Sequence, residues 1–237
     1  MRAAAIAGLA TDSTAYRELL IELAGGDVSA VRDEALRSLV GETLSPQQRM
    51  VLAQTDASAE ISESLARVVD PSTAKRPAAT DTEAWLALLP SQGNARRGER
   101  VFFHPKVGTC SKCHQASGRG AAVGPDLSRI NERIALAGSD GRRWLMETLL
   151  QPSRDMAPQY TPWLIVTKDG KQLTGLPRRK GGNSEAYLGN DGREFTLKTH
   201  EIEFHRESDV SIMPADLLQQ LTRQELADLF AFLSNPR

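Results

Sequence analysis

Several things are nearly missing from this chain of 237 residues. It holds two cysteines, Cys110 and Cys113, too few for a disulfide scaffold at this length, so they serve something local. Aromatic residues make up 5%, and no apolar run approaches the ~20 residues of a membrane helix, so no transmembrane segment is expected. Neither sign of charge dominates, at 29 basic and 30 acidic residues, which gives no bulk attraction to nucleic acid or anionic lipid. Histidine is scarce too, four in all, yet one of them, His114, directly follows Cys113. The opening "MRAAAIAGLA" has the arginine and alanines of a signal peptide, but its apolar run is short and broken by Gly8. It is read as the start of a chain truncated upstream.

Three regions are expected. Residues 1–80 read as short amphipathic helices and a linker. Tyr16, Leu19, Leu20 and Leu23 would face inward on a helix ended by Gly25-Gly26. Asp27 would cap a second helix with Val31, Ala35, Leu36, Leu39 and Val40 inward. Ser45-Pro46 opens a third, and Ile61, Leu65, Val68 and Val69 mark a fourth. "DVSAVRDEALRSLV" gives the set a likeness to HEAT-type repeats, and "DPSTAKRPAATD" (70–81) is the linker.

The second region, 81–157 with 206–237, is helical and carries both cysteines. Helices are expected at 93–103, at 141–153 and around 222–234, the last with a capping box of Thr222 and Glu225. Between its halves, 158–205 changes period. Asp169-Gly170, Gly181-Gly182-Asn183 and Asp191-Gly192 are turn signals between alternating runs, so four to six short antiparallel strands form an inserted β module. The fold class is therefore mainly α with an inserted β module, α+β. The charges of "PRRKGG" (177–182) read as a solvated turn, and Trp85, Trp144 and Trp163 as packing residues.

Cys110, Cys113 and His114 spell C-x-x-C-H. A thioredoxin-type dithiol would follow a strand, whereas here a helix precedes and a glycine-rich loop follows. A tetrahedral zinc site needs four ligands, and His104, His200 and His205 lack ligand spacing. The remaining pattern is covalent attachment of c-type haem: two thiols add across two vinyl groups and the adjacent imidazole becomes the axial ligand. Of five methionines, Met213, before Pro214 in an irregular segment, is the first candidate for the opposite axial position. Met156, in "SRDMAPQY", is the second. His200 and His205 fall in the strand region and read as surface or turn residues.

"GNARRGERVF", "CSKCH", "GPDL", "MP" and "LTRQELADLFAFL", in this order, resemble a class I cytochrome c. The resemblance implies that Gly98 and Phe102 on the first helix cross Phe232 on the last, in a three-helix fold. It also implies that the Pro125 carbonyl accepts the axial imidazole's N–H and that Leu127 packs on the haem. More narrowly, "VGPDLSRI", "PSRDMAPQY", "VTKDG" and "SDVSIMP" are similar to a haem-binding domain of planctomycete and verrucomicrobial proteins. There it sits C-terminal to a sugar-dehydrogenase-like propeller and helical repeats. This similarity covers 93–235, and the chain departs from it in carrying Met156 where relatives have an aliphatic residue. His114 and Met213 are 99 residues apart; without 158–205 they would be 51 apart, which suits a compact domain, so the insert need not touch the iron. Arg129 and Arg133 are candidates for a haem propionate or for an ordinary helix surface.

The resulting expectation is a mono-haem electron carrier rather than an enzyme, with one covalent haem c. Its partner would be a redox protein or a fused dehydrogenase domain, with the insert as a surface for a partner or a homodimer. Covalent haem implies export, to the periplasm or an equivalent compartment. The rival readings are an open-iron haem enzyme or gas sensor, a carbohydrate- or partner-binding module with structural haem, and a docking scaffold built on the helical repeats.

Overall fold

The structure, a computed structural model, describes residues 2–55, 59–69 and 76–235. Residues 70–75 of the expected linker and the side chain of Ile61 lie outside the described residues. Helix and sheet occupy separate stretches, an α+β arrangement with ten α-helices among the described residues and one five-stranded antiparallel sheet. The helices are α1 (Arg2–Leu9), α2 (Arg17–Ala24), α3 (Ser29–Leu39), α4 (Pro46–Ala53), α5 (Ala59–Val69), α6 (Thr82–Leu88), α7 (Ala95–Phe103), α8 (Ile130–Leu136), α9 (Gly141–Leu150) and α10 (Arg223–Leu233). The strands are β1 (Trp163–Thr167), β2 (Gln172–Arg179), β3 (Ser184–Leu188), β4 (Glu194–Lys198) and β5 (Ile202–Glu207). The chain divides into two compact units. One takes Met1–Ala78, Ala87–Thr109 and Gln219–Phe232, the other Ala79–Leu86, Cys110–Leu218 and Leu233–Arg237. This grouping places α7 and most of α10 with the N-terminal helices, a different partition from the three regions read along the sequence.

In the first unit, Ile6, Leu20, Ile21, Ala24, Ala35, Leu36, Leu39, Leu52, Leu65 and Val68 form the core. Helix α3 buries the face expected of it, and Gly25 ends α2. Two details differ. Tyr16 and Leu19 are 44% and 42% exposed, because α2 turns inward the overlapping stripe of Leu20, Ile21 and Ala24. Asp27 does not cap α3: Val28 holds the cap position, with no side-chain bond. Ser45 does cap α4, in a box completed by Gln48.

The pair α7 and α10 belongs to the same unit. Asn94 caps α7 by accepting from the Arg96 and Arg97 N–H groups. Thr222 and Glu225 form the expected box at the start of α10, each accepting from the other's backbone N–H at 3.1 and 2.9 Å. A Cβ built on Gly98 would lie 1.9 Å from the Asp228 carbonyl oxygen and 2.8 Å from Phe232 Cβ, so only glycine permits this crossing. The Phe102 and Phe232 rings pack beside it, centroids 5.4 Å apart.

A buried charge cluster ties these helices to the N-terminal ones. Arg37 donates to Glu34 and to Glu225, each at 2.7 Å, and Arg67 also reaches Glu225. Arg100 donates to the same Glu34 oxygen at 2.7 Å. His104, fully buried, accepts at Nδ1 from the Lys106 and Val107 N–H groups. Burial, with help from the Arg37 charge, depresses the imidazole's pKa to about 3, so the ring is neutral. Burial is opposed at Glu42 by hydrogen bonds from Lys106, Ser13 and Arg17, which together bring its carboxyl down to about 2.

In the second unit, α9 stops at Leu150, ahead of Pro152. The sheet order is β4-β3-β2-β1-β5: a four-stranded meander, after which the chain returns to pair β5 with β1. Gly170, Gly181, Gly182 and Gly192 hold positive φ at the three meander turns, as the turn signals require. β5 runs to Glu207, two residues past the expected end of the insert at 205. The Ser208 N–H donates to the Pro162 carbonyl at 2.8 Å, beside the pair Trp163 and Glu207. Long side chains meet across the sheet. Tyr187 Oη on β3 lies 3.3 Å from His205 Nδ1 on β5, three strands away, and both meet the buried Glu185 carboxylate. A flat sheet would separate those strands by about 14 Å.

Candidate cofactor site

Cys110 to Lys112 form one 3-10 turn, and the Cys113 and His114 N–H groups both donate to the Cys110 carbonyl, at 3.1 and 2.8 Å. That turn is what sets two thiols and an imidazole on consecutive steps of one small element. Neither cysteine is in a disulfide, and both are half-buried. Burial pushes the Cys110 thiol up to about 12 and raises Cys113 as well, the opposite of the lowered pKa that a disulfide-exchanging pair needs.

The segment after the motif folds back onto it. Ala121 N–H donates to the Ser111 carbonyl at 2.9 Å, and the Val123 and Gly124 N–H groups both donate to the Cys113 carbonyl, at 3.0 and 2.8 Å. Leu127 N–H donates to Gln115 O at 2.8 Å, and its side chain is half-buried. The His114 ring lies against this returning strand of chain. A Cβ on Gly124 would stand 2.6 Å from the ring's Cε1, so the backbone itself forms the cradle. His114 Nδ1 lies 2.8 Å from the Pro125 carbonyl. The carbonyl can only accept, so Nδ1 carries the proton and Nε2 holds the lone pair. Burial lowers the imidazole's pKa, partly offset by that bond, and keeps the ring neutral. Gly124 was not singled out from sequence, although its place directly before Pro125 was the signal for it.

Met213 and Met156 are both half-buried. Ser211 accepts from the Met213 N–H at 3.1 Å, and its own N–H donates to Ser153 Oγ at 3.0 Å, which ties the two methionine segments together. Ile212, next to Met213, packs on a cluster of Val123, Leu176 and Leu188, as does Cys113, next to His114. The motif and the Met213 segment therefore border one apolar cluster, and two of its three buried members come from the β module. Arg178 joins the same contact by donating to the Ala122 carbonyl at 3.1 Å. The insert thus touches the motif loop, and one charge of "PRRKGG", though solvent-exposed, also makes a hydrogen bond.

The other candidates stand apart from this arrangement. Gly98, Phe102 and Phe232 form the α7–α10 crossing described above. Arg129 is exposed and pairs with Glu132, while Arg133 lies over the Trp144 ring at 5.3 Å. His200 is exposed in a turn, and His205 is held by Glu185 and Tyr187. Trp85 is buried, and Trp163 meets His205 edge-on. Among the described residues no three His, Cys, Asp or Glu side chains converge as a metal-ligand group, so the four ligands of a zinc site find no set there. No described helix is long and apolar enough to cross a membrane. The chain matches no family model, and no curated protein matches it either.

Proposed function

We propose that this chain is a mono-haem c-type cytochrome domain, an outer-sphere electron-transfer module carrying an inserted β module and preceded by HEAT-like helices. The observation that carries the reading is the state of His114. Its Nδ1–H is engaged by Pro125, its ring is pressed on Gly124, and it directly follows a pair of protonated thiols that form no disulfide. That donor set fits haem c: Cys110 and Cys113 would hold it covalently, and His114 Nε2 would ligate the iron.

When bound, haem c supplies a one-electron Fe(III)/Fe(II) couple. Pro125 fixes the imidazole tautomer and raises its donor strength. Met213 would supply a soft thioether as a further ligand, which would raise the potential relative to a second nitrogen; Met156 is the alternative. A dehydrogenase domain or partner supplies electrons, in the periplasm or an equivalent exported compartment. No bond to a substrate is made.

The test is an absorption spectrum of the oxidised and reduced protein, produced with the c-haem maturation machinery. Met213→Ala, Met156→Ala and a Cys110→Ala, Cys113→Ala variant are measured alongside. Covalent haem lost only in the cysteine variant, with a far-red methionine–iron band lost only in Met213→Ala, supports the electron carrier. A high-spin wild type that takes up carbon monoxide readily would move the assignment to an open-iron enzyme or sensor.

A further inference from the structure

The β module reaches the axial histidine through a short run of contacts. Leu176 on β2 and Leu188 on β3 pack on Val123, and Arg178 on β2 holds the Ala122 carbonyl. The next two N–H groups, of Val123 and Gly124, grip Cys113, and the next two residues, Gly124 and Pro125, are the cradle and hydrogen-bond partner of His114. Four consecutive residues, 122–125, therefore have the sheet on one side and the motif on the other.

We propose that β2 and β3 of the insert position His114: Leu176, Leu188 and Arg178 hold residues 122–125 against the motif and so set the strength of the imidazole's bond to Pro125. This rests on the reading of the site as a c-type haem centre. A firmly held carbonyl makes the imidazole a stronger donor, which favours Fe(III) over Fe(II). Loosening the loop weakens that donation and raises the reduction potential. Losing the Arg178 charge would by itself favour Fe(III) and lower the potential, so the sign of the change separates positioning from simple electrostatics.

The experiment compares wild-type holoprotein with Leu176→Ala, Arg178→Ala and Arg178→Lys. It reads the reduction potential by redox titration and amide hydrogen exchange at Val123 and Gly124. The expected result is exchange about tenfold faster in both alanine variants. The reduction equilibrium shifts towards Fe(II) by about three- to tenfold, tenfold being about 59 mV for a one-electron couple. Lysine, still able to donate to Ala122, restores most of both. An unchanged or lowered potential with intact amide protection overturns the proposal. If Leu176→Ala does not fold, the exposed Arg178 pair decides alone. A wild type without covalent haem removes the haem reading instead; the exchange comparison then still decides whether the sheet holds the loop on His114.

Discussion

Arg37 and Glu225 meet at 2.7 Å although 188 positions separate them, and each side chain is only 4% exposed. Glu225 has two further duties, accepting from Arg67 and from the N–H of Thr222. One carboxylate therefore neutralises two buried guanidiniums and caps α10. Glu225→Ala leaves both cations buried without it, and is expected to cost about 3–5 kcal/mol. Thr222→Ala, which removes one half of the capping box, should cost about 1 kcal/mol. Urea unfolding of the two variants measures the contrast.

Gly98 allows no side chain. Alanine there would drive its Cβ into backbone of α10 at Asp228, where no flexible side chain can yield. The helices must separate, at a cost of about 3 kcal/mol or more, above the usual penalty for overpacking. A fall in thermal midpoint for Gly98→Ala, set against Gly8→Ala, whose Cβ meets nothing within 4 Å, is the check.

Gly124→Ala acts at the imidazole. The added methyl meets the His114 ring at 2.6 Å, and its three nearest atoms all belong to that ring. If the chain holds haem c as proposed, covalent haem should still attach, and the low-spin fraction should fall about tenfold as the ring is pushed off its position. The absorption spectrum and the haem-to-protein ratio, taken together, distinguish this from loss of attachment.

Acid should weaken the fold in a defined window. The folded pKa of His104 is about 3, below its ordinary 6.5, so between these values the unfolded chain binds more protons and stability falls as pH falls. Glu42, at about 2 against an ordinary 4.5, acts in the same direction from about pH 4.5 downward. Glu34 works the other way: burial raises it, despite Arg37 and Arg100, so its contribution declines as pH rises through its range. His104→Asn keeps an acceptor for the Lys106 and Val107 N–H groups but cannot titrate. Its unfolding free energy from urea titration should depend less on pH between 6.5 and 3, by up to about 1.4 kcal/mol per pH unit.

Local signals were legible in the sequence; distant pairings were not. The glycine turns of the sheet and the Thr222–Glu225 box came from chemistry confined to a few residues, and the structure has them. The inward face of α2 is ambiguous in sequence because two apolar stripes overlap there, and only the tertiary contact chooses between them. The charged cluster was invisible for a different reason. Glu34, Arg37 and Arg67 look like the solvated side of amphipathic helices until α7 and α10 bring Arg100 and Glu225 against them. At the motif, the spacing of Cys110, Cys113 and His114 was plain, and Pro125 came from the resemblance. Arg178 could not be found in this way, since nothing local says that a strand 56 residues later will reach Ala122.

The bond between Ser208 and Pro162 has a consequence for how such a chain can be rearranged. Because β5 lies beside β1, the sheet begins and ends at the same point, and the rest of the polypeptide meets it as two adjoining ends. For a flexible bridge between those ends, each doubling of length costs only about 0.6 kcal/mol of closure entropy. The sheet can therefore be replaced without rerouting the chain on either side, at the expense of the contacts that Leu176, Leu188 and Arg178 make with residues 122–123.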